Sequence, residues 1–235
     1  MKRTIIDTRL FVGLRGADLT ASTAYLALVR KMGFGDLLLG LRRYDFFHLT
    51  IEADAPAERA IEALTQTLAR QSTFYNRNKH MYSLECRWGK QERVEGPTHR
   101  ELIARFGQAL GSRKSRKTGI DFDGKGDGKA DIVDMSPAYL VEVFVQDDDS
   151  AGRGAIAAKL TRELNASVGQ GSVKVQCPSR ATVWWLAVAA SEEEQAMATA
   201  RRITVTRRRD EGLLMNPNYQ SAEFVSAGRV DSVRS

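Results

Sequence analysis

Cysteine is scarce in this chain. Cys86 and Cys177 are the only two in 235 residues, far apart and in no paired motif. Two isolated thiols make neither a zinc site nor a disulfide scaffold, and they point to a reducing, cytoplasmic setting. Histidine is almost as sparse. His48, His80 and His99 are the whole set, and none has a second ligand at metal spacing or a nucleophile and carboxylate at a suggestive offset. Ser22, Ser112 and Ser115 lack the G-x-S-x-G elbow of a nucleophilic serine. The basic stretch "SRKSRK" at 112–117 has no glycine-rich strand–loop–helix setting, so it is not a phosphate loop. No apolar run approaches the ~20 residues needed to span a membrane. The opening "MKRTIIDTRL" carries charge without the apolar core of a signal peptide. These absences exclude a self-contained catalytic constellation and favour a binding or assembly module. No metal and no cofactor are expected.

What is present describes a folded chain. Hydrophobic residues make up 43% and charged residues 27%, with a net charge of +6. The length suits two modest domains or one large one. The positive balance is compatible with a nucleic acid, an acidic protein surface or simple solubility, and selects none of them.

The periodicities predict two rounds of the same element order. "TRLFVGL" reads as a strand ending near Gly16, with Asp18 and Thr20 as N-cap chemistry for a helix carrying Tyr25, Leu28, Val29 and Met32. Gly33 is the expected stop. "DLLLGLRR" and "FFHLTIEA" read as two strands, the second alternating Phe47, Leu49 and Ile51 against His48, Thr50 and Glu52. Asp54 and Pro56 open a helix with Ala57, Ile61, Leu64 and Leu68 on one face, and "MYSLECRW" closes the round. The second round is "YLVEVFVQ", a helix with Ile156, Leu160 and Leu164, the strands "SVKVQC" and "ATVWWLAVAA", a helix capped by Ser191 and three glutamates, and "SAEFV". The expected architecture is α+β: two ferredoxin-like β-α-β-β-α-β units related by a pseudo-twofold and joined by a charged linker. Right-handed crossovers would make the strands flanking each helix parallel, with another strand between them. The units are assigned to residues 1–89 and 138–235, and the linker to 90–137, with one short helix in "PTHRELIARFGQALG".

Within the linker, residues 111–130 read as mobile. "DFDGKGDGKAD" offers Asp121, Asp123, Asp127 and Asp131 to calcium, but Lys125 stands where an alternating-acid loop needs a ligand, so no tight calcium site is expected. A different tension lies in "TVWWLAVAA". Trp184 and Trp185 point to opposite faces of one strand, so a face that one-sided helices would leave polar carries an indole. Either the linker helix folds over it or the two repeats pack together there. Packing between repeats, through Trp184 and Trp185, is the expectation.

The fragment "EGLLMNPNYQSAEFV" resembles the closing stretch of the PurS family, the small subunit of phosphoribosylformylglycinamidine synthase. There a helix ends in a Leu-Leu-x-Asn-Pro pattern and runs into the last strand, and Leu213, Leu214, Asn216 and Pro217 match it. "NRNKHMYSLECRW" is a partial match in the first round, with Asn76 and Asn78 flanking Arg77 instead of a proline. "GFGDLLLGLRRYDFFHLTIEAD" is similar to the family's central hairpin, with Arg42 and Tyr44 at the turn and without its usual glycine there. The resemblance spans both repeats and leaves the linker out. Family members are usually single units that dimerise, carry no catalytic residues and bridge a synthetase subunit and a glutaminase subunit. The resemblance therefore implies a fused dimer in de novo purine biosynthesis, coupling ammonia release to an ATP-dependent C–N ligation and inactive alone. Loop positions are where partner contacts concentrate. Arg42, Arg43 and Tyr44 at the first turn, and Asn216, Asn218 and Tyr219 after the last helix, are the partner-contact candidates.

Two other readings compete. A tandem ferredoxin-like protein could bind RNA or a single strand through exposed sheet aromatics and basic residues, although Tyr44, Phe46 and Phe47 form no RNP-like pattern. Paired units could also hold a metabolite between them as a regulatory module, with no ligand named by the residues.

Overall fold

The first strand, β1 (Thr4–Leu14), runs into a helix, α1 (Leu19–Leu26). Asp18 takes extended geometry and accepts the Ala21 N–H, which makes it the N-cap of α1. The helix loosens into a π segment over Ala27–Lys31 and stops at Gly33, whose φ of 75° suits a residue without a Cβ. The computed structural model describes residues 3–70, 76, 78–113, 137–147, 149–168, 173–207 and 212–230. Residues 111–113 end a helix rather than forming part of a linker, and the rest of the expectation for 111–130, the calcium reading of 121–131 and most of the basic stretch 112–117 lie outside the described residues.

The remaining elements are β2 (Leu38–Ala53), α2 (Ala57–Arg70), β3 (His80–Trp88), β4 (Gln91–Glu95), α3 (His99–Arg113), β5 (Ala138–Asp147), α4 (Ser150–Val168), β6 (Val173–Ala189), α5 (Glu193–Thr204) and β7 (Gln220–Val230). The seven strands form one sheet in the order β4-β3-β1-β2-β6-β5-β7, and every neighbouring pair is antiparallel.

This corrects the expected units. The two middle strands of each round are one long strand, so each half reads β-α-β-α-β. Nothing in Arg42–Asp45 forces a turn: no glycine, proline or asparagine lies there, and the alternation continues from Tyr44 through Ala53. Gly40 marks a register shift in the ladder rather than a hairpin. In β6, Cys177 and Pro178 together lie opposite Leu49, a bulge that tolerates the proline's missing N–H. The stretch after Trp88 also belongs to the sheet. Gly89, at φ 57°, makes a tight turn with Lys90 and returns the chain as β4, so the segment assigned to the linker begins with a strand.

The strands flanking α2 (β2 and β3) and α5 (β6 and β7) are parallel, with β1 and β5 between them as expected, whereas those flanking α1 (β1 and β2) and α4 (β5 and β6) are antiparallel neighbours. β2 is longer than β1 and runs past its end: Val12 pairs with Asp45, and Leu38 to Tyr44 continue alongside β6. Helix α1 packs under that overhang instead of returning along β1. The second half does the same. β6 overhangs β5 at Val173–Gln176, where it pairs with the end of β2, and α4 lies beneath it.

Each core is therefore shared between the halves. One contains Ile6, Leu10, Leu49, Ile61 and Leu64 from the first half with Leu160, Leu164, Val173 and Val175 from the second. Another joins Ala21, Ala24, Leu28 and Leu38 to Val143, Trp184, Leu186, Ala200 and Ile203. Both lie on the same side of the sheet, under α2 and α4 and under α1 and α5. The third core is on the other side. There α3 sets Leu102 and Phe106 on Phe11, Tyr44, Phe46, Val183 and Trp185. The cover over the Trp185 face is the helix between the halves, and the halves meet edge to edge through β2 and β6 rather than face to face. Trp184, on the opposite face, is buried under the helices of the second core.

Candidate functional site

The residues expected at a turn sit in the middle of β2, and alternation splits them between two faces. Tyr44 faces α3 and is 1% exposed. Its ring lies 4.5 Å from that of Trp185 and covers Gly13, where a Cβ would fall 2.5 Å from the Tyr44 Cε1. A partner cannot reach it, so Tyr44 is a core residue and not a contact residue. Arg42, on the same face, holds its guanidinium 5.3 Å from the Tyr44 ring centroid and against Met81 Sδ at 3.7 Å. Arg43 faces the other way, with Nε 3.2 Å from Asp18 Oδ2. The α1 N-cap is thereby tied to the central strand.

Burial pushes the Tyr44 phenol up to about 12, against the pull of Arg42 and Arg105. The neutral phenol is the form that folding favours. Above pH 10 the unfolded chain releases that proton while the folded one keeps it, so this contribution to stability should fall as pH rises from 10 towards 12. Cys86, raised to about 11 by burial, acts in the same direction from pH 9. Urea titrations at pH 9 and pH 11 should show Tyr44→Phe losing less stability over that interval than the parent. Equal losses would show that the phenol is not the group responsible.

Asn216, Asn218 and Tyr219 are at the far end of the sheet. Helix α5 ends at Thr204, so Asn216 does not cap it. Instead Leu213 donates its N–H to the Ile203 carbonyl, and Leu214 and Met215 donate to that of Thr204, folding this segment back over the helix end. Asn216 then builds the entry to β7. Its Oδ1 accepts the Asn218 N–H at 3.0 Å, its carbonyl accepts from Tyr219 and Gln220, and its own N–H donates to Gln220 Oε1 at 2.9 Å. Tyr219 is left 73% exposed.

The same turn opens β3. Asn76 Oδ1 accepts the Asn78 N–H at 3.0 Å, the Asn76 carbonyl accepts from Lys79 and His80, and the Asn76 N–H donates to His80 Nδ1 at 3.0 Å. The two asparagine-rich fragments are thus one device used twice, with His80 and Gln220 in equivalent places. The structure brings Arg43 to the first copy of this turn. Gly13, Leu14, Asp18, Arg43, Asp45 and His80 line an open pocket of about 70 Å³. The second copy lies beside Asp147, across the sheet from it.

Sequence reasoning missed the buried pair beneath α3. His99 Nε2 and Glu142 Oε1 are 2.7 Å apart, close enough for an ion pair although the N–H is not aimed for a hydrogen bond. The His99 ring stacks on Phe11 at 4.7 Å, and its backbone N–H donates to Glu85. Thr98 and Glu101 form a capping box at the same helix start. Only that S/T-x-x-E spacing was readable. His99 and Glu142 are on elements that nothing local connects. His48 meets Asp7 at 2.5 Å on the part of the sheet that α3 leaves open. Among the described residues no three histidine, cysteine or acidic side chains converge as a metal site, and no helix is long and apolar enough to cross a membrane. What the arrangement offers is hydrogen-bonding and ionic recognition at the strand ends. No family model, no curated protein and no solved structure matches the chain.

Proposed function

We propose that the chain is a non-catalytic bridging subunit of the PurS type, a fused pair of ferredoxin-like units related by a pseudo-twofold. It would couple a glutaminase to an ATP-dependent synthetase in phosphoribosylformylglycinamidine synthesis. The observation that carries this reading is the palindromic sheet. Two halves of one plan, β3-β1-β2 and β6-β5-β7, join by antiparallel pairing of their equivalent long strands. A homodimer fused into one chain would account for that arrangement. The repeated asparagine turn and the Leu-Leu-x-Asn-Pro resemblance support the same reading. Of the contact candidates, Arg42, Arg43, Asn216, Asn218 and Tyr219 remain, and Tyr44 is withdrawn because it is buried.

The mechanism would be positional. A bridging subunit holds two active sites so that ammonia passes between them without escaping to water. Mixed with its synthetase and glutaminase, the protein should raise glutamine-dependent amidine formation by about tenfold or more and leave ammonia-dependent formation nearly unchanged. Equal effects on the two activities, or none on either, would refute the reading. The nucleic-acid alternative loses its platform: Tyr44, Phe46 and Phe47 are all buried under helices. Recovery of RNA from cell extract, with neither enzyme subunit, would restore it.

A further inference from the structure

The two copies of the asparagine turn differ in one respect. In the second, Gln220 accepts the Asn216 N–H through Oε1 and donates through Nε2 to Asp147 Oδ1 at 2.7 Å. Gln220 and Asp147 are direct cross-strand partners. In the first, the position opposite His80 is Leu14. His80 Nδ1 accepts the Asn76 N–H, so in the neutral ring the proton is on Nε2. That N–H has no acceptor among the described residues. The first turn has the donor of the second and lacks its carboxylate.

The surroundings suit an anion there. Leu14 and Gly13 form part of the pocket wall, and the Arg43 guanidinium enters it with only its Nε directed at Asp18. Asp18 is occupied on both oxygens, by the Ala21 N–H and by Arg43. Arg15 donates Nε to the His80 carbonyl at 2.7 Å and adds a second cation. Asp45, also in the lining, is the acidic group that opposes them. We propose that this pocket receives a carboxylate from outside the chain, held by His80 Nε2–H and Arg43, in the place that Asp147 fills for the second turn. The inference rests on the paired turns and not on the bridging reading. An acidic side chain of a protein and a free small carboxylate share this chemistry.

The test is an NMR titration of the full chain carrying isotope-labelled histidine. The probes are sodium acetate, a capped tripeptide with a central aspartate, and sodium chloride at matched ionic strength. The His80 Nε2 signal should move saturably with a carboxylate and not with chloride. Binding of the peptide about tenfold tighter than acetate identifies a protein side chain as the natural ligand, and equal binding a free carboxylate. Leu14→Asp supplies the internal carboxylate of the second half and should weaken both by about tenfold or more. Should that variant fail to fold, Arg43→Gln, which leaves the α1 cap in place, should weaken binding severalfold. Chloride acting as strongly as acetate, no saturable movement, or unchanged binding in a folded variant would overturn the proposal.

Discussion

Replacing Trp185 by alanine should destabilise the protein by about 3–5 kcal/mol, the range for truncating a large aromatic in a packed core. The indole is fully buried. Its ring neighbours are Tyr44 at 4.5 Å, His99 at 5.6 Å and Phe106 at 6.2 Å, so the cavity would open where α3 meets both halves of the sheet. Its Nε1 has no hydrogen-bond partner, so Trp185→Phe removes volume without stranding a polar group and should cost under about 1.5 kcal/mol. Urea unfolding of the two variants measures both quantities. Amide exchange in α3 should quicken in the alanine variant before the rest of the sheet is affected. A cost below about 1 kcal/mol for Trp185→Ala would mean that α3 is not seated as described.

The second large effect concerns the halves separately. Residues 1–96 alone should not fold as a monomer. The α2 face of Ile61, Leu64 and Leu68 packs with Leu160, Leu164 and Val168 of α4, and the overhang of β2 pairs only with β6. Cutting the chain in the linker removes those partners together, which exposes apolar surface and an unpaired strand edge. Circular dichroism and two-dimensional NMR should report an unfolded or self-associated fragment, and co-expression with residues 97–235, which keep α3, should restore the dispersed spectrum. A monomeric, cooperatively folded 1–96 fragment would contradict the shared cores.

Most elements could be read from local pattern, because local pattern reflects local physics. The alternation of Phe47, Leu49 and Ile51, the Asp18 cap and the α2 stripe all lie where periodicity puts them. The errors arose where a distant partner decides. β2 stays straight through Arg42–Asp45 because β6 supplies its ladder, and nothing near those residues announces β6. The same long-range pairing took Tyr44 from an expected contact to the core. The turn at Asn76 is legible as a repeat of Asn216, but its missing carboxylate is not, since Leu14 and Asp147 become equivalent only when the strands are aligned. Ser191 is the expected α5 cap. Its hydroxyl instead reaches Gln195, and Glu192 occupies the cap position.

The β2–β6 seam is made within a single polypeptide, so dilution cannot dissolve it, as dilution would a subunit interface. It also removes a constraint that identical subunits impose. In a symmetric dimer each substitution arrives twice, once at either end of the assembly. Here a change at Leu14 leaves Asp147 as it is, and α3 can cover one side of the seam while the mate of that patch stays polar with His48 and Asp7. Each end of the sheet is free to acquire its own recognition chemistry by single mutational steps, without a matching change at the other.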